Sequence, residues 1–280
     1  MSRTVREALA AGTARLAAAG APDAARDTRR LMAAALAVAP DRVTLVDKEV
    51  LAPAAADAFD AMLAERLRFR PVAQIVGVRA FWGREFAVSG AVLDPRPETE
   101  TLVALALAGA GPERVLDLGT GSGAILVTLL AEWPAAQGVG TDIDPGALAV
   151  AAANAARHGV AARAEFREAD WTVGIAARFG LVVSNPPYIP AADVETLAPD
   201  VRLWEPRHAL TPGPTGLESY RRIAAGLAAV LTPNGRALFE IGAGQGPAVA
   251  ALFGEAGFAR VRVHPDLDGR DRVVEVADAG

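Results

Sequence analysis

The tetrapeptide Asn185-Pro186-Pro187-Tyr188 has the residue types needed to hold a planar nitrogen in a fixed direction. It follows a largely apolar run, residues 181–184, which is typical of a buried strand. The Asn185 side-chain oxygen and the Pro186 carbonyl can each accept one N–H bond of an amide or exocyclic amine. The prolines fix the backbone direction, and Tyr188 can cover the flat face of the bound group. Such a site would aim a weakly nucleophilic nitrogen at an electrophile, although a plain Pro-Pro turn after a strand has the same pattern.

A glycine-rich segment has the pattern of a loop that binds a nucleotide-like ligand. It follows the aliphatic run 114–118, precedes a helical pattern over residues 124–133, and consists of Gly119, Thr120, Gly121, Ser122 and Gly123. In open α/β sheets, this strand, turn and helix bind the ribose and charged tail of such a ligand. Asp142 ends the next predicted strand, and its carboxylate can accept hydrogen bonds from both ribose hydroxyls.

A second glycine-rich stretch, residues 242–246, repeats the GxGxG pattern. It also follows a strand-like run and precedes a helix-like one. Only the first loop is followed by an acidic strand end, Asp142, and then by the strand that ends in Asn185. We therefore interpret the first stretch as the ligand loop and residues 242–246 as a structural turn.

These motifs, in this order, are similar to those of S-adenosylmethionine-dependent methyltransferases, and more narrowly they resemble the bacterial release-factor glutamine methyltransferases, the PrmC or HemK family. The resemblance covers nearly the whole chain. The segments that carry it are residues 93–100 (LDPRPETE), 115–123, Asp170-Trp171, 185–189 (NPPYI) and 240–242 (EIG). The segment 93–100 is the most discriminating, because related enzymes that act on a ribosomal protein have a different sequence at that place. The NPPY segment is less specific, since many N6-adenine methyltransferases share it.

The resemblance implies S-adenosylmethionine as the methyl donor. It implies N5-methylation of the glutamine in the Gly-Gly-Gln motif of peptide chain release factors. Asn185, Pro186 and Tyr188 would be catalytic, and Pro187 would complete the substrate-binding segment. The donor adenine would lie near Trp171, with Asn185 also bordering the donor.

Three further residues would flank the site entrance if the resemblance holds, namely Arg96, Glu98 and Glu100. The two acids could equally be first-turn residues that stabilise a helix N-terminus. One segment departs from the family, because Thr215 stands where an aspartate is common. Thr215 and Glu218 instead predict a capping box for a helix over residues 217–231.

Composition excludes several kinds of chemistry. The chain has no cysteine, so disulfides, thiolate catalysis and zinc–cysteine sites are excluded. His158, His208 and His264 lack metal-ligand spacing, and we expect no metal. No apolar run approaches the ~18 residues of a membrane span, and the N-terminus lacks a signal-peptide pattern. We expect a soluble, cytoplasmic, monomeric enzyme.

The charge pattern bears on nucleic-acid binding. The formal net charge is −5, and acidic side chains outnumber basic ones in the part that contains the motifs. A protein that grips duplex phosphates normally has a basic face. We therefore expect no direct nucleic-acid partner.

The predicted fold class is α/β, with a doubly wound, Rossmann-like class I methyltransferase sheet. Residues 1–72 have helical patterns and are expected to form a small substrate-recognition bundle, and residues 73–93 a β-hairpin linker. Residues 94–280 are expected to form the methyltransferase domain. Its strands are predicted at residues 114–118, 138–142, 164–168, 181–184, 235–241, 258–264 and 271–277. Residues 189–216 form a long Pro-rich loop without clear periodicity, and such loops are commonly functional.

Three alternative functions remain from the sequence. The first is glutamine methylation of another protein, such as a ribosomal protein, which residues 93–100 disfavour. The second is N6-adenine methylation of nucleic acid, which the acidic charge and the lack of a base-reading insertion disfavour. The third is a non-catalytic S-adenosylmethionine-binding module, which would not need an intact Asn185 tetrapeptide.

Overall fold

The computed structural model of the chain describes residues 3–277 and contains two compact units. The first, called here the helical unit, runs through Val78 and also includes Ala198–Trp204. The second, the sheet unit, comprises Arg79–Leu197 and the residues from Glu205 onward. The chain therefore leaves the sheet unit after Leu197 and returns to it at Glu205.

The regular elements alternate between helices and strands in the second half of the chain. The α-helices are α1 (Val5–Ala18), α2 (Ala24–Leu36), α3 (Pro53–Leu67), α4 (Val72–Val76), α5 (Glu100–Leu107), α6 (Ala124–Glu132), α7 (Pro145–Arg157), α8 (Pro199–Trp204), α9 (Arg207–Leu210), α10 (Glu218–Val230) and α11 (Gly246–Glu255). The strands are β1 (Val78–Phe81), β2 (Arg84–Ala87), β3 (Arg114–Leu118), β4 (Gln137–Asp142), β5 (Ala164–Glu168), β6 (Phe179–Ser184), β7 (Leu231–Glu240), β8 (Arg260–Pro265) and β9 (Asp271–Ala277). Short 3₁₀ helices lie at Pro40–Val46, Pro97–Thr99, Ala161–Arg163 and Asp193–Thr196. Within residues 3–277, none of the helices has the length and apolar character needed to span a lipid bilayer.

The helical unit is built from α1–α4 around its own apolar cluster. Leu16, Leu31 and Phe59 are fully buried in it. The helix α1 begins at a capping box, in which the Thr4 side chain accepts from the Glu7 backbone N–H and the Glu7 carboxylate accepts from the Thr4 N–H. Satisfying these two end groups stabilises the start of the helix.

The helix α8 belongs to the helical unit although it lies far along the chain. The Arg66 guanidinium is buried, with its Nε 2.7 Å from Asp27 Oδ2 and its terminal nitrogen 3.8 Å from Asp200 of α8. The Trp204 indole N–H donates to the Arg68 carbonyl at 2.9 Å. These contacts bind part of the long loop 189–216 to the helical unit.

The sheet unit is organised by a seven-stranded sheet in the order β5-β4-β3-β6-β7-β9-β8. The strands β3 to β7 pair in parallel, while β9 runs antiparallel to both β7 and β8. Alternate residues of β6 face opposite sides: Leu181 and Val183 pack in a cluster with α5–α7, whereas Val182 packs in a cluster with α10 and α11. This is the predicted doubly wound sheet with helices on both faces, and each predicted strand is confirmed with small shifts at its ends.

Two secondary-structure predictions were wrong. Residues 72–76 form α4, so the start of the hairpin linker predicted over residues 73–93 is helical, and the two-stranded sheet is confined to β1 and β2. The loop 189–216 contains α8, α9 and a 3₁₀ helix at Asp193–Thr196. These helices have four to six residues each, which is too short for an apolar period to show in the sequence.

Candidate active site

The strand register brings the sequence motifs to one edge of the sheet. The strand β3 pairs in parallel with β4 on one side, where Leu118 faces Thr141, and with β6 on the other, where Asp117 faces Val183. Gly119, Asp142 and Asn185 therefore lie at the carboxyl ends of three adjacent strands. The chain order reverses between β3 and β6, and such a switch point is where open α/β sheets form ligand crevices.

The glycine loop leaves room for a ligand at its centre. Gly121 has a φ of +53°, and a Cβ added there would meet no atom within 4 Å. The Thr120 hydroxyl holds the base of the loop by donating to Asp117 Oδ2 at 2.7 Å. A backbone that turns in the left-handed region and faces open space can approach a ligand closely.

Asp117 is a fully buried carboxyl group beneath the loop. Burial raises the pKa of Asp117 to about 7, against the lowering effect of the Thr120 hydrogen bond. Asp117 Oδ1 has no hydrogen-bond partner within residues 3–277. At neutral pH this group therefore holds a proton for a large fraction of the time.

Asp142 is fixed by two backbone hydrogen bonds. Its Oδ2 accepts from the Gly121 N–H at 2.9 Å, and its Oδ1 accepts from the Asp144 N–H at 3.0 Å. Each carboxylate oxygen keeps further acceptor capacity. The arrangement suits the predicted hydrogen bonds to two ribose hydroxyls.

Trp171 lies beside the glycine loop in a strained conformation. Its φ is +54°, in the left-handed region that a bulky side chain seldom adopts. Its ring lies 3.3 Å from where a Cβ of Gly119 would be. Strain of this kind costs about 1–3 kcal/mol and is found preferentially at ligand sites.

A cavity of about 270 Å³ joins these groups. The predicted site residues that line it are Gly119, Thr120, Gly121, Ser122, Asp142, Trp171, Asn185 and Pro187. Gly123, Pro186 and Tyr188 are not among the lining residues. Gly123 instead turns the chain into α6, where a Cβ would lie 3.1 Å from Ala151. The donor-binding and substrate-binding roles of these three residues stay predictions.

Asn185 presents a defined end of its side chain to the cavity. Its Nδ2 donates to Thr99 Oγ1 at 3.2 Å, which turns the amide nitrogen toward the protein. Tyr188 packs against the cluster of α10 and α11. Burial, followed by the nearby Glu240 carboxylate, raises the pKa of Tyr188 to about 12, so the phenol stays protonated.

The second glycine loop supports the tetrapeptide. The Gln245 side chain accepts from the Gly242 N–H at 2.9 Å and donates to the Tyr188 carbonyl at 3.0 Å. None of residues 242–246 lines the cavity. This agrees with the interpretation of residues 242–246 as a structural turn. The hydrogen bond from Gln245 holds the backbone at Tyr188.

Residues 96–100 contribute in different ways. The Arg96 guanidinium lines the cavity and donates to both carboxylate oxygens of the buried Glu205, at 2.6 and 2.7 Å. Glu98 and Glu100 lie in the first turns of the 3₁₀ helix and of α5, respectively. Glu100 accepts from the Trp82 N–H at 2.8 Å. Neither acid lines the cavity, which favours the helix-end interpretation, and a place beside Arg96 at the entrance stays a prediction.

Sequence reasoning missed Asn154, which supports the glycine loop from α7. Asn154 is fully buried, and its side chain donates to the carbonyls of Ser122 and Ala87 and accepts from the Ala87 N–H. The sequence signal was a single polar residue on the buried face of an alanine-rich helix. The helix α10 was predicted, but its contribution to the cavity was missed: Ser219 and Arg222 line the cavity.

The cavity fits a nucleoside that carries a charged tail. It offers a carboxylate for hydroxyl groups at Asp142, an open backbone cradle at Gly121 and a flat ring at Trp171. Within the described range, residues 3–277, no three His, Cys, Asp or Glu side chains form a group that could hold a metal ion.

Comparisons with known proteins identify the family. Residues 7–77 match the model of the PrmC N-terminal domain, and residues 97–213 match that of the methyltransferase small domain. The chain is 58% identical to a release factor glutamine methyltransferase of Cereibacter sphaeroides, with 96% of each chain covered. It is 43% identical to one of Caulobacter vibrioides, with 98% of this chain and 96% of that one covered.

Two solved structures share the fold at low identity. A methyltransferase from Pyrococcus furiosus gives a TM-score of 0.54 at 13% identity, covering 78% of this chain and 96% of that one. The catalytic domain of hMettl16 gives 0.59 at 15%, covering 78% and 82%. The 58% and 43% identities to the relatives from Cereibacter sphaeroides and Caulobacter vibrioides extend over nearly the whole chain, so the chain belongs to the family of release factor glutamine methyltransferases.

Proposed function

We propose that this enzyme transfers a methyl group from S-adenosylmethionine to N5 of the glutamine in the Gly-Gly-Gln motif of peptide chain release factors. The observation that carries the proposal is the position of Asn185, whose side chain borders the same cavity as the glycine loop and Asp142. The names of the relatives support the acceptor. The structural neighbours support only the fold.

The groups that would hold the donor follow from the cavity. The Asp142 carboxylate would accept from the ribose hydroxyls, the backbone of Gly119 to Gly123 would lie along the donor, and the Trp171 ring would lie near the adenine. When bound, the donor supplies an electrophilic methyl group on a positively charged sulfur. The protein's part is to hold both reactants in register, and such positioning can contribute about 7–11 kcal/mol.

Asn185 is suited to orient the acceptor. A glutamine amide nitrogen is planar and weakly nucleophilic, so its direction must be fixed. Because Asn185 Nδ2 already donates to Thr99, Asn185 Oδ1 is left to accept one N–H of the glutamine, and the Pro186 carbonyl would accept the other. The nitrogen forms its bond to the methyl carbon as the carbon–sulfur bond breaks. The methylated nitrogen then loses a proton to solvent, and no strong base is needed.

We further propose the division of labour along the chain. Residues 1–72 would recognise the folded substrate, and residues 94–280 would carry out the methyl transfer. Residues 73–93 would link these two parts of the chain, with the hairpin confined to β1 and β2. The names of the relatives support release factors as the substrates. We propose that the enzyme acts on them as a monomer in the cytoplasm, without contacting nucleic acid directly or binding a membrane.

The test compares wild type with Asn185→Ala, using labelled donor, purified release factor and mass spectrometry of the product. We expect wild type to label the Gly-Gly-Gln glutamine. Asn185→Ala should lower turnover about 10²-fold or more, the scale for removing one preorganised hydrogen bond, while calorimetric donor affinity changes little. Asn185→Asp keeps one acceptor oxygen but adds charge, so it separates these two effects.

Two results would contradict the proposal. Near-normal turnover by a folded Asn185→Ala variant would remove Asn185 from the mechanism. Labelling of a ribosomal protein or of nucleic acid in a lysate, with release factor unlabelled, would assign a different acceptor.

A further inference from the structure

The backbone of Trp171 lies in a strained turn of the sheet unit. Residues 169–178 connect β5 to β6, and within them Trp171 has the left-handed φ of +54°. The Val173 N–H donates to the Asp170 carbonyl at 3.1 Å, and the Thr141 hydroxyl donates to the Trp171 carbonyl at 3.4 Å. A bulky residue keeps such a conformation only where the surrounding structure over-determines it. Packing from outside the turn should therefore contribute.

The helix α10 contacts both neighbours of Trp171. The Arg222 guanidinium donates to the Asp170 carboxylate, and the Thr172 side chain packs against α10 at Gly226. Arg222 and Gly226 are four residues apart and therefore lie on one face of the helix. Residues 170 and 172 are thus held by the same helix face, and the conformation of Trp171 between them is restricted.

Gly226 is the residue that allows α10 to lie this close to the turn. A Cβ added at Gly226 would overlap the Thr172 hydroxyl oxygen and would lie 3.0 Å from Thr172 Cβ. Rotation of the Thr172 side chain could move the hydroxyl away, but it would leave the separation from Cβ, which is shorter than the ~3.5–4.0 Å of a favourable carbon contact. Glycine is less favourable than alanine inside a helix, so helix formation does not account for Gly226.

We propose that Gly226 is a positioning residue for donor binding. It lets α10 pack against Thr172, and this packing keeps the Trp171 ring beside the glycine loop, 3.3 Å from where a Cβ of Gly119 would be. Gly226 does not line the cavity, so it acts through Trp171 and not by touching the donor. The inference rests on the proposed function only for the place of Trp171 near the donor adenine, and it does not depend on the acceptor.

Gly226→Ala adds the single carbon atom that this contact excludes. We expect the Kd of S-adenosylhomocysteine, measured by calorimetry, to rise about tenfold, and the KM of the methyl donor to rise with it. At saturating donor, kcat for release factor should stay within about twofold of wild type, because the groups that orient the acceptor are not displaced.

Gly254→Ala is the matched control. Gly254 is an exposed residue of the helix α11, and a Cβ added there would meet no atom of residues 3–277 within 4 Å. This variant makes the same substitution in a helix without the close contact. It should keep the wild-type Kd for S-adenosylhomocysteine, and its Tm should not fall.

Two double variants separate positioning from general packing. Thr172→Ala removes the overlapping oxygen, so combining it with Gly226→Ala should restore binding at least about threefold relative to Gly226→Ala alone. Thr172→Ala by itself opens a gap against α10 and should weaken binding about threefold. Trp171→Ala should itself weaken donor binding, and in that background Gly226→Ala should cause no further loss, because Gly226 acts through Trp171.

Three results would overturn the inference. These are a wild-type Kd in a folded Gly226→Ala variant, no recovery when Thr172→Ala is added to it, and an undiminished effect of Gly226→Ala in the Trp171→Ala background. If Gly226→Ala does not fold, Thr172→Ala decides the question, and a wild-type Kd in that variant contradicts the inference.

Failure of the proposed function would be recognised separately. If Trp171→Ala binds S-adenosylhomocysteine as tightly as wild type, the proposed place of the adenine is wrong and the inference falls with it. An acceptor other than release factor would contradict the proposed function alone, because each Kd is measured without an acceptor.

Discussion

Replacing Asn154 with alanine should destabilise the sheet unit by about 3 kcal/mol, at about 1 kcal/mol for each hydrogen bond removed. The side chain is fully buried and makes three hydrogen bonds, two with Ala87 and one with Ser122. Alanine leaves these backbone groups without their partner, and water has little access to Ser122 in the glycine loop. The Ser122 contact also predicts about fivefold weaker donor binding, equivalent to about 1 kcal/mol.

Thermal and urea unfolding measure the first effect. For a unit of this size, about 3 kcal/mol corresponds to a fall in Tm of roughly 6–12 °C. Arg157→Ala is the matched control, because Arg157 lies on the same helix, is exposed, and makes a surface ion pair with Glu85. Such a pair contributes about 0–1 kcal/mol. If Asn154→Ala unfolds within about 1 °C of the control, the reasoning from three buried hydrogen bonds is wrong.

The remaining predictions concern donor binding and pH. Gly121→Val and Asp142→Ala should each weaken donor binding, measured by calorimetry, at least about tenfold. Gly244→Val is the control and should leave donor binding unchanged. Gly121 and Gly244 both have positive φ and open space around the Cβ position, but of the two only Gly121 lines the cavity. Equal affinities in all three variants would refute the assignment. Burial raises the pKa of both Asp117 and Glu240 to about 7, so the folded state binds more protons than the unfolded state below pH 7. The free energy of unfolding should therefore fall as pH rises from about 4 to 7, by about 3–4 kcal/mol for each group, and level off above. In urea titrations at pH 5.5 and 8, Glu240→Gln should show a smaller fall than wild type, and an unchanged fall would contradict the reasoning.

The sequence predicted the sheet because its signals are local. The central strands β3 and β6 contain short aliphatic runs, RVLDL and FGLVVS, and buried parallel strands require such runs. The order of the strand ends then sufficed to place Gly119, Asp142 and Asn185 at one edge. The short helices of the loop 189–216 gave no such signal.

The contacts that hold the site could not be predicted, because they join residues that are distant in sequence. Asn185 and Thr99 are 86 residues apart, and Asn154 and Ser122 are 32 apart. In the sequence, Thr99 has the pattern of a residue at the start of a helix, and Asn154 is one polar residue in an alanine-rich helix. Only the packing of α5 and α7 against the sheet shows which backbone and side-chain groups these residues serve.

The assignment of α8 to the helical unit changes how substrate recognition should be tested. Deleting residues 1–72 would remove Arg66 and Arg68, which bind Asp200 and Trp204 of α8. The loop between Tyr188 and α10 would then lose its support. A loss of activity in that truncation would say nothing about recognition, so surface substitutions are the better test.

Leu45 and Val50 offer such a surface on the helical unit, being 78% and 64% exposed. A Gly-Gly-Gln tripeptide has little side-chain surface, so selectivity among cellular glutamines requires contacts remote from the reacting group. Combining Leu45→Asp with Val50→Asp should lower kcat/KM for intact release factor about tenfold, the effect of losing an apolar contact of somewhat more than 1 kcal/mol. Turnover of a short Gly-Gly-Gln peptide should not change. Leu267→Asp is the control, because Leu267 is equally apolar and fully exposed but lies in the sheet unit. If all three substitutions leave kcat/KM for the intact protein unchanged, this surface does not bind the substrate; if peptide and protein lose turnover together, the substitutions disturb the fold and recognition is not the cause.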